Sequence, residues 1–152
     1  MLKNKEGQVW IETVIYTLIG LSLIALVLAI VTPKINEFRD RRIIEQTIDS
    51  LNIFDSKISE VLSAPGNRRT IEFKMKKGDL YFNASGNTIA YILEDSRSLF
   101  SEPSKTIPVG RINVTTTEKT KYYDVMLVLG YNHNITFDGR DQDTIKLSST
   151  SV

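Results

Sequence analysis

The sequence predicts an α+β fold: a long N-terminal hydrophobic helix followed by a small antiparallel β-rich head, built as one sheet or as a sandwich. Three observations carry this. Thr13 to Thr32 is an unbroken uncharged, mostly apolar run, an amphipathic pattern follows it and stops at Ala64-Pro65-Gly66-Asn67, and beyond that point the apolar period drops to two, with frequent turn residues. The expected organisation is a leader at 1–7, a helix at 8–63 and a head at 67–152. Within the helix, 8–32 is the apolar part and 34–63 the amphipathic part.

Met1 to Gly7 (MLKNKEG) is polar, carries Lys3, Lys5 and Glu6, and has nothing to pack on a core, so it reads as a leader. From Gln8 to Thr32 the only charge is Glu12. Twenty helical residues rising about 1.5 Å each span roughly 30 Å, the thickness of a bilayer hydrocarbon core. The apolar residues surround the helix on every side, so each face has to meet lipid or other apolar helices. The run continues to Val31 and meets Thr32-Pro33 where a secretory signal would show a shorter core and small residues, so no cleavage is expected after it.

After Pro33 the pattern becomes amphipathic, with Ile44, Ile48, Leu51, Ile58 and Leu62 on one stripe. The other faces carry Glu37, Arg39, Asp40, Arg41, Arg42, Glu45, Asp49, Asp55, Lys57 and Glu60. Proline and glycine then end the helix. Ile71, Phe73 and Met75 alternate with Glu72, Lys74 and Lys76, and Lys77-Gly78-Asp79 leads to Leu80 and Phe82, which predicts a hairpin. Further strands are expected at Thr88–Leu93, Thr106–Thr115, Tyr122–Tyr131, Asn134–Phe137 and Thr144–Ser148.

The 19 basic and 18 acidic residues leave a net charge of +1, too small a field to steer the chain to nucleic acid. Without cysteine there is no disulfide and no thiol chemistry. His133 is the sole histidine; Asp138 and Asp141 lie nearby, but no second ligand cluster, nucleophile motif or phosphate-binding glycine loop accompanies them. Asp138-Gly139-Arg140-Asp141-Gln142-Asp143 lacks the closing glutamate of an EF-hand and reads as a turn. No enzymatic activity, cofactor or metal is expected.

Gly7-Gln8-Val9-Trp10-Ile11-Glu12 stands directly ahead of the apolar run and behind a short charged leader. This arrangement resembles the class III signal peptides of archaeal type IV pilins and archaellins. The resemblance covers about thirty residues and rests on Gly7, Gln8, Glu12 and the spanning-length run taken together. It implies cleavage after Gly7 by a prepilin peptidase at the cytoplasmic side, giving a mature chain that begins at Gln8 and carries Glu12 at its fifth position. It further implies assembly with identical or related pilin subunits through the helix, by a pilus platform and motor, into a surface filament. Glu12 would then pair with the α-amino group of Gln8 on a neighbouring subunit. Two positions depart from the pattern: Glu6 precedes the glycine where a basic residue is common, and Trp10 occupies a site that is often small.

Lys3 and Lys5 flank one end of the apolar run while Lys34, Arg39, Arg41 and Arg42 flank the other, so orientation follows from the resemblance and not from charge. Trp10 and Tyr16 suit a membrane interface. Asn83, Asn113 and Asn134 each begin an N-x-S/T sequon, and all three fall in the head; outside the cell they are candidate N-glycosylation acceptors. The competing expectation is a single-span membrane anchor that holds an adhesive or sensing head and does not polymerise.

Overall fold

The computed structural model describes residues 5–64, 66–140 and 144–149, with side chains from Val9 onward. One helix, α1 (Lys5–Ser63), is followed by six strands: β1 (Asp79–Asn83), β2 (Thr88–Ser96), β3 (Thr106–Val109), β4 (Ile112–Glu118), β5 (Tyr123–Gly130) and β6 (Thr144–Ser148). They form one antiparallel sheet in the order β3-β4-β5-β2-β1-β6. The α+β class therefore holds, and the head is a single sheet. The chain divides into two units, Met1–Asn36 and Glu37–Val152, so the division falls inside α1 and residues 37–63 belong with the sheet.

The helix starts at Lys5, three residues ahead of the expected Gln8, and runs through Pro33. Proline removes the N–H that the Ala29 carbonyl would have accepted. One residue earlier the Thr32 hydroxyl donates to the Leu28 carbonyl at 2.6 Å, one of several such bonds along the apolar part. At its far end the helix closes with Ala64 N–H on the Val61 carbonyl and Asn67 N–H on the Ala64 carbonyl, and Gly66 takes φ 87°.

In the unit Glu37–Val152, alternate residues of every central strand point to one face. Leu80, Ile89, Tyr91, Leu93, Ile112, Val114, Val125, Leu127 and Leu129 are buried there with Ile44, Ile48 and Leu51 of α1. Register explains the continuity of this layer: Leu80 is opposite Tyr91, Tyr91 opposite Leu127 and Leu127 opposite Val114, so a row of like-facing side chains crosses four strands.

The sequence expectation fails at several points. Residues 71–75 form no strand and no hairpin with Leu80–Phe82. Both edges of β1 are occupied, by β2 on one side and β6 on the other, which leaves no place for a third neighbour. Gly78 is a close-packing site instead of a hairpin turn. At φ 88°, a Cβ there would meet the Tyr91 hydroxyl at 2.5 Å and the Ile92 carbonyl at 2.7 Å.

The single strand expected at 106–115 is two strands, β3 and β4, folded at Gly110-Arg111, with Gly110 at φ 63°. Asn134–Phe137 is not a strand; only an isolated bridge joins Phe137 to Arg140.

The apolar stripe of the helix also differs from expectation. Leu62 is 49% exposed, whereas Asp40, assigned to the solvated faces, is buried on the stripe with Thr47. Asp40 stands four residues before Ile44, one turn back on the same face. Its carboxylate accepts the Arg97 N–H at 2.8 Å and lies 3.6 Å from Lys77 Nζ, so its burial is compensated. Asp55, also expected on a solvated face, is half-buried and ion-paired with Arg111 at 2.8 Å.

Candidate functional site

The apolar part of α1 is defined by what it lacks. From Val9 to Ile35 its large hydrophobic side chains are exposed on all sides, from Val14 at 38% to Tyr16 at 73%. This is the one helix, among the described residues, long and apolar enough to cross a membrane. Its hydroxyls are satisfied internally: Thr13 donates to the Val9 carbonyl, Thr17 to Thr13 and Ser22 to Leu18, at 2.7–2.9 Å. No hydroxyl of this set needs water, which suits a hydrocarbon environment.

Gly7 and Gln8 lie in the first turns of α1, and Glu12 follows Gln8 by four residues, one turn on. Glu12 and its neighbours Trp10 and Tyr16 are exposed. Gly20 has nothing within 4 Å of the position a Cβ would take. A shallow apolar groove of about 510 Å³ runs along one face of this segment, lined by Ile15, Leu18, Ile19, Ser22, Leu23 and Leu26.

The three sequons gather at one end of the sheet. Asn83 ends β1, and its side-chain oxygen accepts the Gly86 N–H at 3.0 Å and the Ser85 hydroxyl at 2.7 Å. The turn that follows is closed by Asn87 N–H on the Ala84 carbonyl, with Asn87 at φ 49°. Asn87 then holds the loop that carries Asn134: its carbonyl accepts Tyr131 N–H at 2.9 Å and its side chain accepts Ile135 N–H at 2.8 Å.

Asn113 stands on β4 just past the Gly110-Arg111 tip, and Arg111 reaches the Gly130 carbonyl at 3.3 Å. Asn113 and Asn134 are exposed, while Asn83 is half-buried and flanked by Thr88 and Thr144 on the two neighbouring strands.

The opposite end of this unit is where the chain enters it at Glu37. Here Asp40 anchors the loop after β2, the Ser101 and Thr116 hydroxyls pair at 2.6 Å, and the Arg41 guanidinium lies 5.9 Å from the centre of the Phe100 ring. Burial pushes the Tyr91 phenol up to about 12, with the Thr47 hydroxyl opposing the shift and the Asp79 and Asp40 carboxylates adding to it. Its hydroxyl donates to the Lys77 carbonyl. On the exposed face Lys146 holds the Asp79 carboxyl below its usual range through a 2.9 Å ion pair, and Asp79 holds the Lys146 ammonium above its own.

His133 is exposed, and among the described residues no group of three or more His, Asp or Glu side chains is placed to hold a metal. Asp138 adopts φ 49° and Gly139 φ 76° in the turn bridged by Phe137 and Arg140, while Asp141 and Asp143 lie outside the described residues. Asp40 is the polar residue that sequence reasoning placed on the wrong face. The available signal was its position one turn before Ile44 on the stripe.

Comparison of the chain with protein-family models, with curated proteins and with solved structures returned no match.

Proposed function

We propose that this chain is a structural subunit of an archaeal type IV pilus-like surface filament, cleaved after Gly7 and assembled through its apolar helix. The observation that carries the reading is the placement of Gly7, Gln8 and Glu12 immediately before a helical segment whose whole circumference is apolar and exposed.

The precursor waits in the membrane with its head on the outer side. A prepilin peptidase removes residues 1–7, and an assembly platform with its motor extracts the mature chain into a bundle of like helices. Exchange of lipid contact for helix contact is close to neutral in apolar burial. The work of extraction therefore falls to the motor, and specificity falls to packing and to the few polar groups. A carboxylate near the end of a spanning helix is costly to bury without a partner; Glu12 finds one in the α-amino group of Gln8 on a neighbouring subunit. The head then lies outside the cell, where Asn83, Asn113 and Asn134 are candidate glycosylation acceptors, with Asn113 and Asn134 the more exposed.

Intact mass with N-terminal sequencing of the protein from its native membrane and surface fractions tests this, alongside a Gly7→Val variant. A mature chain beginning at Gln8, lost in the variant, is the expected result. An uncleaved Met1 chain in both sinks the proposal and leaves a membrane-anchored binding module that does not polymerise. Glu12→Gln separates the two further: the filament reading expects cleavage to persist while filaments disappear, and the anchor reading expects no consequence.

A further inference from the structure

Residues 68–76, like Asn134–Phe137, carry the pattern of a strand without forming one. Ile71, Phe73 and Met75 are half-buried, while Thr70, Glu72, Lys74 and Lys76 are exposed, the period-two alternation of an extended chain. Phe73 and Met75 pack against the core, which fixes the segment in place. Among the described residues, no backbone N–H or carbonyl from 68 to 76 pairs with another backbone group, whereas β1, which follows it, is paired on both sides. Such a row of unpaired groups on an anchored, extended segment is a template for an added strand.

Charge selects the kind of strand. The segment carries Arg68, Arg69, Lys74 and Lys76 against Glu72 alone, with Lys77 directly after it. Arg69 is tied to Glu60, Lys74 to Glu72 and Lys77 to Asp40, yet the excess stays strongly positive. That excess of positive charge opposes pairing with the same segment of a second copy and favours an acidic strand.

The helix side of the segment leaves room as well. A cavity of about 330 Å³ opens between Lys74, Lys76 and the helix residues Gln46 and Asp49. An apolar one of about 190 Å³ opens between Ile71, Val61 and Leu62. Leu62 and Ile53 stay exposed on this part of the helix.

We infer that residues 68–76 are a docking edge for an acidic extended segment of a different polypeptide chain. The incoming chain adds by backbone pairing and sets its carboxylates against Lys74, Lys76 and Arg68. The assignment is independent of whether the chain polymerises.

The test uses the full chain in detergent micelles and a labelled synthetic peptide of about ten residues alternating glutamate and valine. Three controls accompany it: the lysine–valine counterpart, an acidic peptide with alternate amides N-methylated, and a buffer blank. Fluorescence anisotropy should report binding of the acidic peptide alone, weakening as ionic strength rises. Amide exchange at 70–76 should slow on binding. Lys74→Glu combined with Lys76→Glu should weaken binding by about tenfold or more, and Glu72→Lys, which no misfolding could mimic, should tighten it.

Equal binding of the N-methylated peptide would reduce the contact to general electrostatics and overturn the proposal. Absence of binding would leave the lysines as guards against edge aggregation, also overturning it. Peptide-independent self-association that the charge reversals abolish would make a second copy the occupant and overturn it equally.

Discussion

The two halves of α1 share one unbroken helical backbone and the same local bonding, yet they meet opposite surroundings. In the first half Thr13, Thr17, Ser22 and Thr32 donate their hydroxyls one turn back; in the second half Thr47, Ser50, Ser56 and Ser59 do the same. The first half exposes every large apolar side chain, and the second buries Asp40, Ile44, Thr47, Ile48 and Leu51 in a stripe under the sheet. Helix formation is therefore indifferent to the division at Asn36. What changes is how the apolar residues are distributed around the axis: all round in one half, on one face in the other.

Substitutions should respect that difference, and the largest effect belongs to the sheet. Leu127 is fully buried on the central strand β5, so Leu127→Ala should cost about 2–5 kcal/mol of head stability. Denaturant unfolding of the full chain in micelles should show this loss with membrane insertion unchanged. Val27→Arg, in the exposed apolar half, should do the reverse. It should disfavour insertion by about 3 kcal/mol in a translocation assay while the head's unfolding midpoint stays where it was. Loss of head stability in Val27→Arg would break the comparison.

Asp40→Ala tests the polar member of the buried stripe. Removing the carboxylate orphans the Arg97 N–H and leaves Lys77 only the Asp95 carbonyl, for a cost of about 1–3 kcal/mol. Asp40→Asn should restore part of it.

A pH titration probes the same layer. Tyr91 has a folded-state value near 12, raised above the ordinary 10.0. The contribution of its protonated hydroxyl is complete below about 10 and is lost as pH rises toward about 12. Tyr91→Phe should flatten that decline in part, since burial raises Tyr131 as well. The smallest change is expected at Leu62, which is 49% exposed: Leu62→Ala should move head stability by no more than about 0.5 kcal/mol.

The apolar run, the helix end at Ala64-Pro65-Gly66, the β-rich head and most strand positions were legible because each depends on local pattern. β6 at Thr144–Ser148 matches the expected strand residue for residue, and β5 differs from its expectation by one residue at each end. The failures share a cause. Ile71, Phe73 and Met75 alternate as a strand should, but whether a strand forms depends on a vacant neighbour, and the far-off residues of β6 had taken the place beside β1. Gly78 looked like a turn glycine, and its purpose came from Tyr91 and Ile92 pressing on it from another strand. For the candidate site, Gly7, Gln8, Glu12 and the three sequons were readable as motifs, but the gathering of Asn83, Asn113 and Asn134 at one sheet end was not. That depends on Asn87 tying two loops together.

By itself the sequence determined which segments are helical or extended and that one helix is apolar on every side, because those properties follow from side-chain period and composition along the chain. Only the tertiary structure decided the strand order β3-β4-β5-β2-β1-β6, the burial of Asp40 and the unpaired state of 68–76. Each is a competition for neighbours between residues distant in sequence, and a local pattern carries no record of who wins it.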